Sequence, residues 1–223
     1  MTRDFTTREE VKDVYRRRAR NYDNSANLYY LIGFRIRAYR RMAVDALLLA
    51  LGDTVVEIGC GTGLNFPLLR QKVGAGGRII GVDISEAMLE RAAARVRRAG
   101  WSNVELVCSD AGSYRFPDSV DGIISMLALT LEPDYDGVVD RGAAALKPSR
   151  RWVVMDLKLQ SGWLSFLTPL LIFLVRPFAV SREVGKRHPW ESIERHLINS
   201  AFRPLFGGFA YLAVGEAKPK RAE

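Results

Sequence analysis

Two cysteines and two histidines in 223 residues leave little material for metal or disulfide chemistry. Cys60 lies in a glycine loop and Cys108 ends an expected strand. That spacing matches neither a disulfide framework nor a ligand cluster, and no metal is expected. His188 and His196 fall together in one late segment. No Ser/His/Asp or Cys/His constellation is spaced for nucleophilic catalysis. Long apolar runs are missing too. The strongest candidate, "GWLSFLTPLLIFLVRPF" from Gly162 to Phe178, is too short to span a bilayer and is interrupted by Pro169, Arg176 and Pro177. The opening "MTRDFTTREE" is charged and carries no apolar signal-peptide core, so a cytoplasmic location is the expectation. There are no internal repeats.

The composition that remains is ordinary for a folded domain: 48% hydrophobic and 26% charged. The length suffices for one well-buried α/β domain with a small lid. The net charge of +8 is uneven. Residues 1–41 hold 11 Lys and Arg against 5 Asp and Glu, so most of the excess sits at that end. A basic end of this kind suits an anionic surface, or is simply a solvated helix face.

Thr7 and Glu10 fit a capping box for a first helix. Val11, Val14, Tyr15, Ala19 and Tyr22 follow at helical spacing. A second helical pattern runs from Asn27 to Leu51, with Gly52-Asp53 ending it. The rhythm then changes to alternating strands and helices. "TVVEIG", "RIIGVD", "NVELVCSD", "VDGIISML" and "RWVVMDLK" read as strands. "LNFPLLRQKV", "SEAMLERAAARVRRAG" (capped by Ser85, stopped at Gly100) and "YDGVVDRGAAALK" read as helices. Such alternation implies a doubly wound, mostly parallel sheet. Residues 160–200 break the alternation and read as a helical insertion. "FRPLFGGFAYLAVGEA" then reads as a hairpin at the sheet edge, giving seven strands. The expected organisation is a helical cap over 1–51, a core over 52–159, a lid over 160–200, and a terminal hairpin and tail over 201–223.

The chemistry concentrates in "VVEIGCGTGLNFPLL". Gly59, Gly61 and Gly63 follow a strand and precede a helix, a pattern that admits a ligand close to bare backbone. The spacing is not that of dinucleotide sites: the third glycine of G-x-G-x-x-G would fall at Leu64, and the Lys-Ser/Thr ending of a phosphate loop is absent. Asp83 ends the second strand, where an acid accepts hydrogen bonds from ribose hydroxyls. Asp110 ends the third, placed to receive an amino group. Glu57, inside an apolar strand, suits either the loop amides or a cationic ligand group.

These residues resemble the class I S-adenosylmethionine-dependent methyltransferases. "VVEIGCGTG" is similar to that family's first motif, "GVDIS" and "CSDA" to its second- and third-strand acids, and "GIISMLAL" to its fourth-strand segment. The resemblance covers about residues 50–158 and departs at Lys147-Pro148-Ser149-Arg150, where the family usually has Pro-Gly-Gly. It implies a Rossmann-like methyltransferase fold with S-adenosyl-L-methionine as cofactor and S-adenosyl-L-homocysteine as product. The cofactor contacts it implies are Glu57, Gly59, Gly61, Gly63, Asp83, Ile84, Met88, Asp110, Ala111 and Met126. Plain core packing is the competing reading for Ile84 and Met126.

Within that family the resemblance runs to small bacterial phospholipid N-methyltransferases and, next, to the ubiquinone/menaquinone methyltransferases. It implies an orienting role for Tyr22 in "RNYDNSANLYY". It also implies a lipid or other amphipathic acceptor, such as phosphatidylethanolamine, met at the inner face of an anionic membrane. A nucleic-acid partner is not expected, because "SMLALTLEPD" lacks the Asn/Asp-Pro-Pro-Tyr motif of base-amino methyltransferases. Quinone carbon, a soluble metabolite and non-catalytic cofactor binding stay open.

Overall fold

The computed structural model describes residues 33–158 and 186–219. The first helix, Tyr22, the start of the second helical pattern and the apolar stretch 162–178 lie outside the described residues. The described chain opens with α1 (Ile36–Ala46) and then alternates: β1 (Thr54–Ile58), α2 (Phe66–Val73), β2 (Arg78–Asp83), α3 (Glu86–Ala99), β3 (Val104–Cys108) and β4 (Val120–Met126). A 3-10 turn (Leu129–Leu131) leads into α4 (Tyr135–Ala145) and β5 (Leu146–Leu157). α5 (Pro189–His196), β6 (Ile198–Leu205) and β7 (Ala210–Glu216) complete it.

The seven strands form one sheet in the order β3-β2-β1-β4-β5-β7-β6. The pairs from β3 to β5 are parallel, and β7 runs antiparallel between β5 and β6. The expected doubly wound, mostly parallel sheet with a terminal edge hairpin is what forms. The chain winds outward from β1 to β3, then returns to lay β4 on the other side of β1. The carboxyl ends of β1 and β4 therefore flank a topological switch point, where open α/β sheets bind ligands.

Alternation along the strands divides the core between two faces. Val55, Ile79 and Ile124 pack with Val44 of α1, Leu69 of α2 and Ala92 of α3. Val56, Ile80 and Ile123 pack with Val138 of α4 and Ile193 of α5. Both faces are covered, so the central strands read as nearly unbroken apolar runs. The closest approach is at Gly142 of α4. A Cβ there would fall 2.1 Å from the ring of Trp152, which is fully buried on β5. We therefore expect Gly142→Val to destabilise the protein by about 2–3 kcal/mol through overpacking. Urea unfolding checks this: the midpoint should fall with the slope unchanged.

Three boundaries and one cap depart from the sequence reading. The pattern carried to Leu51 stops as a helix at Ala46. Leu47 turns inward and Leu48 takes a positive φ of 53°, which breaks the helix although the leucines continue its periodicity. β5 begins at Leu146 rather than Arg151, and an irregularity in its pairing with β4 absorbs the departing turn. Ser149 there adopts φ 61°, a conformation usually given to glycine. Residues 186–200, read as part of an insertion, carry α5 and the start of β6. The edge strand is exposed along most of its length, so its sequence shows no core alternation. Finally, Ser85 occupies the N-cap position of α3 without a side-chain capping bond; the carboxylate of Asp83 receives its amide instead. Pro67 sits in the first turn of α2 and Gly100 ends α3 in the left-handed region, as expected. No helix among the described residues is long and apolar enough to cross a membrane.

Candidate cofactor site

A cleft opens at the switch point, with about 800 Å³ of empty space that includes the open solvent at its mouth. Its lining comes from the loop after β1 (Ile58, Gly59, Gly61), the end of β2 and start of α3 (Val82, Asp83, Ile84, Met88), and the end of β3 (Ser109, Asp110, Ala111). Met126 and the segment Leu127, Ala128, Leu129, Leu131 and Glu132 complete it. Eight residues singled out from the sequence are thus brought together: Gly59, Gly61, Asp83, Ile84, Met88, Asp110, Ala111 and Met126. Glu57 and Gly63 do not line the cleft.

The three glycines do different work. Gly59, Gly61 and Gly63 all have positive φ, at 69°, 55° and 74°. A Cβ on Gly59 would meet the Ala128 side chain at 2.2 Å, and one on Gly63 would meet the Phe66 ring at 2.5 Å. Those two allow close packing behind the loop. A Cβ on Gly61 would meet nothing within 4 Å, so this glycine faces open cleft.

Asp83 holds the loop in place. One carboxylate oxygen accepts the Gly61 amide at 2.8 Å, and the other accepts the Ser85 amide at 2.9 Å. Burial raises its pKa, while those two amides pull it back. Asp110 accepts the Gly112 amide at 2.7 Å, which fixes its side chain at the tip of β3.

Glu57 sits beneath the loop. Its Oε1 accepts the Asn65 side-chain amide at 2.6 Å, and Arg40 of α1 donates to the Asn65 oxygen at 2.8 Å. Its Oε2 is buried without a hydrogen-bond partner. Burial pushes the carboxyl to about 8, against the opposing hydrogen bond from Asn65. The partner is therefore a side-chain amide, where the sequence reading offered loop backbone or a ligand cation. Sequence reasoning missed Asn65. At a helix N-cap, asparagine reads as a cap, yet its side chain makes no capping bond and turns to Glu57. Cys60 is buried beside this group, and burial raises its thiol pKa well above the ordinary value. It is poorly suited to act as a nucleophile. His188 stacks on Trp190 and bonds Glu191, and His196 bonds Asp136 and Asp140. Neither histidine lines the cleft.

The residues present fit S-adenosyl-L-methionine. Bare backbone at Gly61 leaves room for a ligand, acids end β2 and β3 where ribose and base amino groups need acceptors, and Ile84, Met88 and Met126 offer apolar surface.

A glycine loop after β1 and acids closing β2 and β3 of this sheet define the class I methyltransferase fold. Residues 55–149 match the family described as a methyltransferase domain, and this core is similar to that of the class I S-adenosylmethionine-dependent methyltransferases. The chain is 28% identical over 153 residues to a demethylmenaquinone methyltransferase of Listeria welshimeri, which covers 68% of this chain and 64% of that protein. It thus spans less than two thirds of that curated relative. Among solved structures, it resembles a putative methyltransferase of Haloferax volcanii seen in complex with the Trm112 activator. The TM-score is 0.65 at 20% identity, over 96% of this chain and 100% of the other. A phosphoethanolamine N-methyltransferase of Haemonchus contortus, solved with S-adenosyl-L-methionine, gives a TM-score of 0.61 at 18% identity, over 79% and 52% of the two chains. At such identities the structural likeness speaks to the fold alone.

Proposed function

We propose that this chain transfers a methyl group from S-adenosyl-L-methionine to an amphipathic acceptor at a membrane surface, with the amine of phosphatidylethanolamine as the leading candidate. The observation that carries the cofactor half is the cleft itself, with open space over Gly61 and carboxylates at the ends of β2 and β3. The bound cofactor supplies a methyl group already activated on a sulfonium. What the protein adds is chiefly position and exclusion of water. Asp83 fixes the glycine loop and presents a carboxylate to the cleft, and Asp110 presents a second one from beyond the end of β3. Met88, Met126 and Leu129, all buried, furnish a dry wall.

The acceptor half rests on the basic residues 1–41 and the apolar stretch 162–178. Of the first group, Arg35, Arg37 and Arg41 are exposed on and just before α1, where cations draw anionic lipid. A quinone carbon is the second reading, favoured by the demethylmenaquinone methyltransferase relatives. "WVVMDLK" lacks the Glu-x-Ser ending of the quinone enzymes, which keeps this reading second.

The test is methyl transfer from labelled S-adenosyl-L-methionine, offered in parallel to phosphatidylethanolamine liposomes containing anionic lipid, to a demethylquinone and to tRNA. Label is expected in the phospholipid amine. Label only in the quinone would move the assignment to carbon methylation. Cofactor binding with no label in any acceptor would leave a soluble metabolite or a non-catalytic binding protein.

A further inference from the structure

The cleft wall after β4 is not held by its own secondary structure. The strand ends at Met126, Leu127 adopts φ 57°, and the chain passes through the short 3-10 turn Leu129–Leu131 before α4. A segment this brief has few internal hydrogen bonds, so its position must be set from outside. Two side chains distant in sequence grip it at one residue. The Thr130 amide donates to Asp156 Oδ2 at 3.0 Å. Arg187 donates to the Thr130 carbonyl at 3.1 Å and to the Leu131 carbonyl at 2.7 Å.

We propose that Asp156 and Arg187 are positioning residues that set the cleft wall by holding Thr130 at both its amide and its carbonyl. Both grips are anchored. Asp156 is buried on β5, and its other oxygen accepts the Leu157 amide at 2.8 Å. Burial raises its pKa to about 6 while the amides of Thr130 and Leu157 oppose the rise, so at neutral pH it is largely the carboxylate, the form that accepts both. Arg187 stands two residues before Pro189, the start of α5. That helix is tied to α4 through Ser192, Arg195 and His196, all bonded to Asp136. α4 begins where the wall ends. Wall, α4, α5 and Arg187 thus close a ring, and the ring leaves the wall little slack on its other side. Ala128 packs so tightly on the glycine loop that a Cβ on Gly59 would lie 2.2 Å from it. A displaced wall would move against that loop, so the effect on cofactor follows if the cleft is the cofactor site proposed above.

Four proteins test this: the parent, Arg187→Met, Arg187→Lys, and Lys147→Met as a control. Lys147 pairs with Asp121 at 2.8 Å, at the opposite end of the sheet. Amide hydrogen exchange of the ligand-free proteins is read over residues 127–134, and S-adenosyl-L-homocysteine is titrated by calorimetry. Arg187→Met should speed exchange at residues 129–132 and weaken binding, each by about tenfold, the worth of one charge-assisted hydrogen bond. Arg187→Lys should recover part of both, since a lysine reaches a single carbonyl. The control should lower the melting temperature without either local effect. Unchanged exchange over 129–132 in both Arg187 variants, or a rise no greater than that of the control, overturns the proposal. If Arg187→Met does not fold, the lysine variant decides. If the parent binds no S-adenosyl-L-homocysteine, the cofactor reading falls while the exchange measurement still judges the clamp.

Discussion

Gly61→Ala should leave the fold standing and weaken cofactor binding by roughly tenfold to a hundredfold, whereas Gly59→Ala should damage both. The two residues are two positions apart in one loop, and both lie in the left-handed region, at φ 55° and 69°. Placing an alanine in that region costs about 1–2 kcal/mol at either site. The difference lies in what the new methyl meets. At Gly61 it meets open cleft, so the ligand-free protein bears only the backbone penalty, a shift of roughly 2–8 °C in melting temperature for a chain of this size. The bound ligand then collides with a methyl it cannot displace, and overpacking of that kind is worth about 1–3 kcal/mol. At Gly59 the methyl would lie 2.2 Å from the Ala128 Cβ and 3.7 Å from its Cα. Backbone must move, and the wall moves with it. Gly59→Ala should therefore lose about 2–4 kcal/mol of stability as well as binding. Thermal melts and titration with S-adenosyl-L-homocysteine separate the two. Parent-like affinity in Gly61→Ala would mean that the ligand does not lie over this loop, and the cofactor assignment would fail with it.

The contrast also shows how far a linear sequence reveals a site. The parallel core is legible because β1, β2 and β4 are apolar on both faces and the helices between them carry a period of 3.6. Asp83 is legible because it ends β2 and Asp110 because it follows β3 by two residues, where side chains reach a shared cleft. The glycines are legible as a loop, but not by role. Only the tertiary neighbours Ala128 and Phe66 distinguish Gly59 and Gly63, which relieve packing, from Gly61, which faces the ligand space. Asn65 and Arg40 are hidden because their partners lie 8 and 25 residues away on other elements, which no periodicity within one element reveals. Arg187 and Asp156 are hidden for the same reason, being 56 to 57 and 26 residues from the wall they hold. The second helical pattern overruns α1 because Leu47–Leu51 keep the helical spacing while Leu48 leaves the helical backbone. The start of β6 is missed because an exposed edge strand has no core face to impose alternation.

Glu57→Gln should make the ligand-free protein more stable at alkaline pH, by an amount that vanishes near pH 4.5. Glu57 is buried, and its carboxyl is raised from 4.5 to about 8 by burial foremost. Below pH 4.5 the group is protonated in folded and unfolded chains alike, and the stability of its neutral form is fully present. Between 4.5 and 8 the unfolded chain gives up the proton that the folded chain keeps, so stability falls as pH rises. Above 8 both forms are ionised, and the folded protein carries a buried charge with Asn65 as its hydrogen-bond partner and Arg40 one step beyond. Each tenfold change in proton affinity between the folded and unfolded chains corresponds to about 1.4 kcal/mol, so the whole loss is on the order of 3–5 kcal/mol. Glutamine preserves the Oε1 acceptor for Asn65 and removes the titration. Asp156 is also raised by burial and gives the parent and the variant the same underlying slope, so the difference between the two proteins reports Glu57 together with its coupling to Asp83 and Cys60. Urea unfolding at pH 5, 7 and 9 should show that difference small, then growing, then near its limit. A difference independent of pH would mean that Glu57 is already ionised throughout. In that case the buried charge is fully compensated by the Asn65–Arg40 chain, and α1 is an electrostatic support of the glycine loop rather than merely packed against the sheet.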